Sequence, residues 1–185
     1  VKIVASDLDG TLLAPNHQLS DFTKQTLTKL HGQGYTFIFA TGRHHVDVAG
    51  IRKQTGIPAY MITSNGARVH DQDDNLMYAK NLPVDLVQSV VDVLKQDPEI
   101  FIHIYMNDEW LLNREDETMK NFPDQTGFTY RLYDVDNAPT EGIAKIFCTH
   151  PNQEHEHLVP FEDKLNLRTE QGCLLYTSDA ADDGV

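Results

Sequence analysis

Cysteine is scarce: Cys148 and Cys173 are the only two in 185 residues. Two thiols are too few for a disulfide framework, so a reducing cytoplasm is the default compartment. Basic residues are also few, with 15 Lys and Arg against 28 Asp and Glu, a net charge of −13. No basic stripe is left to displace counterions from a phosphate backbone, which argues against a nucleic-acid partner. No apolar run approaches the length of a transmembrane helix, which argues against a membrane partner. The chain opens on "VKIVAS" without a basic-then-apolar leader. Internal repeats and low-complexity linkers are absent too. What remains is a 40% hydrophobic chain able to bury a real core, with an acidic balance suited to holding a divalent cation or a small anion in a local pocket.

The apolar patterning divides the chain near residue 80. "KIVAS", "YTFIFATG" (35–42) and "AYMITSNG" (59–66) read as three short buried strands. Between the first two, Ser20 is an expected N-cap, Phe22, Leu27 and Leu30 an expected apolar face, and Gly34 an expected stop. A second helix is expected from about His44 to Gln54, ended by Gly56 and Pro58. Continuous apolar strands alternating with helices predict a parallel sheet covered on both faces. "GARVHDQDDNLMYAK" then reads as a polar-tipped hairpin. Pro83 opens a helix with Val87, Val90, Val91 and Leu94 on one stripe. "IFIHIYMNDEWLLNR", "FTYRLY" and "GIAKIFCTH" read as strands of a second sheet, and "EHEHLVPFEDKLN" as a helix.

The stretch "VASDLDGTLL" concentrates the chemistry. Asp7 falls just past a buried strand, facing the crevice where open α/β sheets bind ligands, and Asp9 can face the same crevice once the strand has ended. Gly10 allows a sharp turn and Thr11 can hydrogen-bond the loop. Like charges so close need a cation or a shared proton. A hard cation such as Mg²⁺ takes oxygen ligands of this kind. With one present, one carboxylate can serve as ionised nucleophile and the other as proton donor. Asp-x-Asp-Gly by itself favours a solvated turn or part of a calcium loop; the buried strand before it and the Thr-Leu-Leu after it reverse that in favour of the catalytic reading.

"DLDGTLL" resembles the first signature of the haloacid dehalogenase-like phosphohydrolases. "FATGR" is similar to their second, and "ITSNGA" resembles the third-strand ending of the Cof-type subfamily. The resemblance implies an α/β fold, a Rossmann-like parallel-sheet core with an inserted α+β cap. It places part of the core at 1–80 and the cap at 81–168. It also implies chemistry: Mg²⁺-dependent hydrolysis of small phosphorylated metabolites, pyridoxal phosphate and sugar phosphates among them, through an aspartyl-phosphate. In those roles Asp7 attacks phosphorus and ligates Mg²⁺. Asp9 protonates the leaving oxygen, then activates water, with its backbone carbonyl on Mg²⁺. The Leu8 N–H, the Thr41 hydroxyl and the Gly42 N–H hold phosphate oxygens. A phosphosugar mutase or other phosphotransferase on the same core, and a non-catalytic segment that binds phosphate weakly, are the alternative readings.

Arg43 either touches the substrate phosphate or is a surface residue at a helix start. Asn65-Gly66 fits a tight turn better than a pocket lining, and Trp110 and Tyr105 fit packing of the second sheet better than a substrate surface. His155 and His157, two apart on a predicted helix, point to different faces and make a poor metal pair.

The resemblance further calls for a lysine and a Gly-Asp-x-x-x-Asp loop after the cap. Asp179 and Asp183 in "SDAADDGV" have the loop's internal spacing, but the expected strand, lysine and helix before it are missing. "CLLYTSDAAD" resembles instead the translation of a transposon-type sequencing adapter, with the reading frame leaving the gene near Cys173. Residues 169–185 are therefore expected to be a non-native tail that is disordered or pairs opportunistically, the chain to be C-terminally truncated, poorly stable and nearly inactive by itself, and the first strand to be a sheet edge with an uncovered apolar face.

Overall fold

A computed structural model describes residues 1–120, 126–151, 168–170 and 173–177. The chain divides into two compact units, residues 1–79 with 126–128, and residues 80–120 with 129–151 and the strands at 168–170 and 173–177. Each has its own sheet. No helix among the described residues is long and apolar enough to cross a membrane.

The first unit runs β1 (Lys2–Ser6), α1 (Asp21–Gly32), β2 (Tyr35–Ala40), α2 (His45–Thr55), β3 (Ala59–Thr63), β4 (Arg68–His70) and β5 (Leu76–Ala79), with the strands in sequential order across the sheet. β1, β2 and β3 are parallel, and β3, β4 and β5 antiparallel. Pairing of Val4 with Phe37 and of Phe39 with Met61 puts these side chains on one face. There they pack with Leu27 of α1 and with Val48 and Ile51 of α2 in one apolar cluster. The Ser20 hydroxyl accepts the Thr23 N–H at 3.0 Å, and α2 ends on Gly56 in the left-handed region.

One expectation fails in this unit. Phe22 is 79% exposed. It lies five residues before Leu27, about 140° away around a helix of 3.6 residues per turn, so the two cannot share a face. Among the described residues the sheet is covered on one face, which leaves the open face expected beside an edge strand rather than the two covers that the strand pattern alone predicts. Ala5 and Ile3, the latter 60% exposed, lie in register with Ile38 and Thr36 on the second face, where Ile38, Tyr60 and Ile62 are only half-buried. A single β-α-β-α-β run places its crossovers on one side, so both helices join the same cluster. Among the described residues, β1 pairs with β2 alone and is a sheet edge.

The second unit holds α3 (Val84–Leu94), β6 (Phe101–Met106), β7 (Glu109–Leu112), α4 (Glu117–Lys120), β8 (Tyr130–Leu132), β9 (Ile143–Thr149), β10 (Arg168–Glu170) and β11 (Cys173–Thr177). Its strand order is β10-β11-β9-β6-β7-β8. Val87, Val90, Val91 and Leu94 are all buried, and pack on Ile102, Ile104, Leu111, Ile146 and Cys148. The opposite face carries His103, Tyr105, Trp110, Lys145 and Phe147. Its rings stack or meet edge to face, and the Lys145 ammonium lies 5.0 Å from the Phe147 ring centroid. Within the expected tail, Cys173–Thr177 forms a strand antiparallel to β9, the pairing alternative for that stretch. The apolar, β-branched β9 presents a row of backbone groups that a neighbouring extended segment can satisfy. The helix expected over 154–166, with His155 and His157, lies outside the described residues.

Candidate active site

The strand β1 delivers Asp7 at its C-terminal end. Leu8 is wholly buried in the first unit's core, which turns its two neighbours outward: Asp7 is exposed and Asp9 half-exposed. The chain then reverses in a tight turn closed by the Leu13 N–H donating to the Leu8 carbonyl at 2.8 Å. Gly10 sits at φ +71°, a conformation that strains other residues. A buried leucine between two carboxylates thus explains how two like charges come to share one surface.

The next strand ends beside the first, since Ser6 pairs with Phe39. Thr41 donates its N–H to the Ile62 carbonyl at 2.9 Å, which carries the parallel pairing past the end of β2. Its hydroxyl oxygen accepts the Arg43 N–H at 3.2 Å, so the hydroxyl proton stays free to be donated elsewhere. The Arg43 carbonyl accepts the Ser64 N–H at 2.9 Å, tying this loop to the end of β3. Ser64 and Asn65 have φ of 50° and 55°, left-handed values unusual outside glycine, and Gly66 follows at 93°. Asn65-Gly66 therefore does form the expected turn, between β3 and β4. The Thr63 and Ser64 hydroxyls and the Asn65 side-chain oxygen are nevertheless buried without a hydrogen-bond partner among the described residues. Strained, unsatisfied polar groups of this kind collect at ligand sites.

Arg43 bridges the two strand ends. Its Nε and Nη2 donate to Asp9 Oδ2 and Oδ1, each at 2.7 Å, in a bidentate fork. Its Nη1 donates to Asp47 Oδ2 at 2.8 Å. His17 Nδ1 lies 3.0 Å from Asp9 Oδ1, and the Thr126 hydroxyl donates to Asp47 Oδ1 at 2.6 Å. The Arg43 guanidinium, and after it His17, hold the Asp9 carboxyl below the usual carboxylate range against the opposing effect of burial. Arg43 is itself pushed further up by Asp9. The Asp7 carboxylate, by contrast, has neither ion pair nor hydrogen bond among the described residues. It is an exposed, anionic oxygen pair of the sort a hard cation or an electrophilic phosphorus meets.

The residues present fit a magnesium ion in part. Asp7 supplies a free carboxylate, whereas the Asp9 side chain is taken up by Arg43, leaving its backbone carbonyl as the donor. No cluster of three or more His, Cys, Asp or Glu suited to a metal occurs among the described residues. A cation that keeps much of its water shell and takes one or two carboxylates tolerates such a site.

Of the residues singled out from the sequence, Asp7, Leu8 and Asp9 stand at the end of one strand, and Thr41 and Gly42 at the end of its neighbour. Arg43 engages Asp9 in this structure. His17, Asp47 and Thr126 were not foreseen. Asp47 stands four residues after Arg43, a charge-pair spacing at a helix start that could have revealed it; no signal marks His17.

Carboxylates and hydroxyls stand at the tips of parallel strands in an α/β fold. The chain matches the haloacid dehalogenase-like hydrolase family over residues 4–178 and belongs to it. It is 36% identical over 148 residues to a protein named HMP-PP phosphatase from Shigella flexneri serotype 5b, covering 80% of this chain and 54% of the relative. It is 35% identical over 164 residues to an HMP-PP phosphatase from Yersinia pestis strain Pestoides F, covering 89% and 59%. The chain thus spans little more than half the length of these relatives. A crystal structure of a haloacid dehalogenase-like hydrolase from Bacteroides thetaiotaomicron superposes with a TM-score of 0.83 at 19% identity, over 98% of this chain and 72% of that one.

Proposed function

We propose that this chain carries the nucleophile and the acid–base residue of a Mg²⁺-dependent phosphomonoesterase acting on small phosphorylated metabolites. The free Asp7 carboxylate two residues from a tethered Asp9 is the observation that carries this reading. An Asp7 oxygen attacks phosphorus and forms an aspartyl-phosphate as the bond to the leaving oxygen breaks. Asp9 gives its proton to that oxygen. As a carboxylate it then takes a proton from water, whose oxygen attacks phosphorus. Inorganic phosphate leaves and Asp7 is regenerated. The Thr41 hydroxyl and the Leu8 and Gly42 N–H groups donate to the phosphoryl oxygens, where charge builds up. The Asp7 carboxylate and the Asp9 backbone carbonyl would hold Mg²⁺, which would further neutralise that charge.

In this reading residues 1–80 are part of the catalytic core and 81–168 a cap that selects the substrate. HMP-PP comes into range through the relatives' names, and pyridoxal phosphate and sugar phosphates through the sequence resemblance. The test is phosphate release from p-nitrophenyl phosphate by the gene's full-length product. Activity is expected with Mg²⁺ and not with EDTA, and Asp7→Asn is expected to abolish it. Metal-independent turnover, or turnover that survives the substitution, would overturn the proposal.

A further inference from the structure

The tethering of Asp9 extends beyond the residues that touch it. Asp9 follows a buried leucine, precedes a left-handed glycine, and has a half-exposed side chain; nothing in its own backbone fixes its carboxylate. Arg43 fixes it, but Arg43 is long and itself needs an anchor. The structure supplies one in Asp47, in the first turn of α2, which takes the third arm of the guanidinium. Asp47 is in turn anchored by the Thr126 hydroxyl, and its side chain is 19% exposed against 40% for Asp9. The chain of contacts runs Thr126, Asp47, Arg43, Asp9, with 2.6, 2.8 and 2.7 Å between successive partners.

We propose that Asp47 is a positioning residue for the reaction: it locks Arg43 and thereby aims the Asp9 carboxylate. An Asp in the first turn of a helix can also serve merely as a favourable charge at the helix N-terminus. The two roles differ in what they do to chemistry.

This inference rests on the phosphatase reading above. The test uses the full-length protein and compares kcat/KM for glycerol 1-phosphate, whose alkoxide needs a proton to leave, with that for p-nitrophenyl phosphate, whose leaving group needs none. For Asp47→Ala the alkyl ester is expected to lose about tenfold to a hundredfold and the aryl ester less than about threefold, because misaiming removes part of the general-acid contribution. Asp47→Asn keeps an acceptor for Arg43, should fold where alanine does not, and is expected to show the same selectivity more weakly. Equal losses on the two esters, or no loss on either, would overturn the proposal while leaving the phosphatase reading intact. A wild-type protein silent on both esters would overturn both.

Discussion

The two sheets of this chain are put to different uses. The second unit closes a continuous apolar layer: the α3 stripe lies on β6, β7 and β9, with Ile102, Ile104 and Leu111 essentially inaccessible. The first unit packs one face of its sheet as tightly, around Phe37, Phe39 and Met61. It leaves β1 as an edge with Ile3 in solvent. Its polar residues gather at the strand ends, in turns with left-handed backbone and unsatisfied hydroxyls. Burial energy is concentrated where nothing reacts, and strain and charge where the chemistry is proposed, as expected when a site conflicts with local rules that the remainder of the fold obeys.

Several substitutions sharpen this contrast. Phe39→Ala in the first unit is expected to cost about 3–5 kcal/mol and Ile104→Ala in the second about 2–5 kcal/mol, each by lost burial plus a cavity. Chemical denaturation followed by circular dichroism measures both. A much smaller cost for Phe39 would mean that the first unit's core is not closed on its covered face.

The next effect is one of pH and belongs to the second unit. His103 is fully buried between Trp110 and Phe147. The Trp110 indole N–H donates to its Nδ1 at 3.1 Å, so the ring proton sits on Nε2, facing the Thr149 hydroxyl at 3.1 Å. Burial pushes its pKa down from 6.5 to about 3. The unfolded chain therefore binds a proton that the folded one refuses. The resulting stability is complete above pH 6.5 and drains away as pH falls from there toward 3, reaching a loss of about 2 kcal/mol at pH 5. Trp110, the single tryptophan, reports this unit's unfolding by fluorescence. His103→Gln is expected to flatten the dependence between pH 6.5 and 5; an unchanged slope would contradict the assignment.

Smaller effects fall at the helix start and on the open strand. Ser20→Ala removes the N-cap acceptor of α1 and is expected to cost about 1 kcal/mol. Ile3→Ser, on the exposed side of β1, is expected to stay within about 0.5 kcal/mol of neutral. A loss above 2 kcal/mol there would show that the second face is covered after all.

How much of this was readable beforehand follows from periodicity. Val87, Val90, Val91 and Leu94 repeat at a helix's period and all prove buried, and β1, β2, β3 and β6 appear where apolar runs give way to Gly, Asn or Asp. Phe22 misled because an apolar residue in a first turn was counted without its angle. The open face of the first sheet was expected from the missing segment and not from the strand pattern, because continuous apolar strands predict two covers and the sequence of a strand does not name what covers it. At the candidate site, the placement of Asp7 and Asp9 just past β1 was legible from a strand-turn motif. The Arg43–Asp9 fork and the His17 contact were not, because they join side chains 34 and 8 residues apart in sequence that only the folded backbone brings together.

The most direct measurement is a search for phosphate on Asp7. Full-length protein, quenched in acid during turnover of a phosphate monoester with Mg²⁺ and digested, is expected to yield one phosphorylated peptide containing residues 7–9, with the added mass on Asp7 and none in the Asp7→Asn protein. Steady turnover with no such adduct, or with the adduct on another residue, would contradict the account.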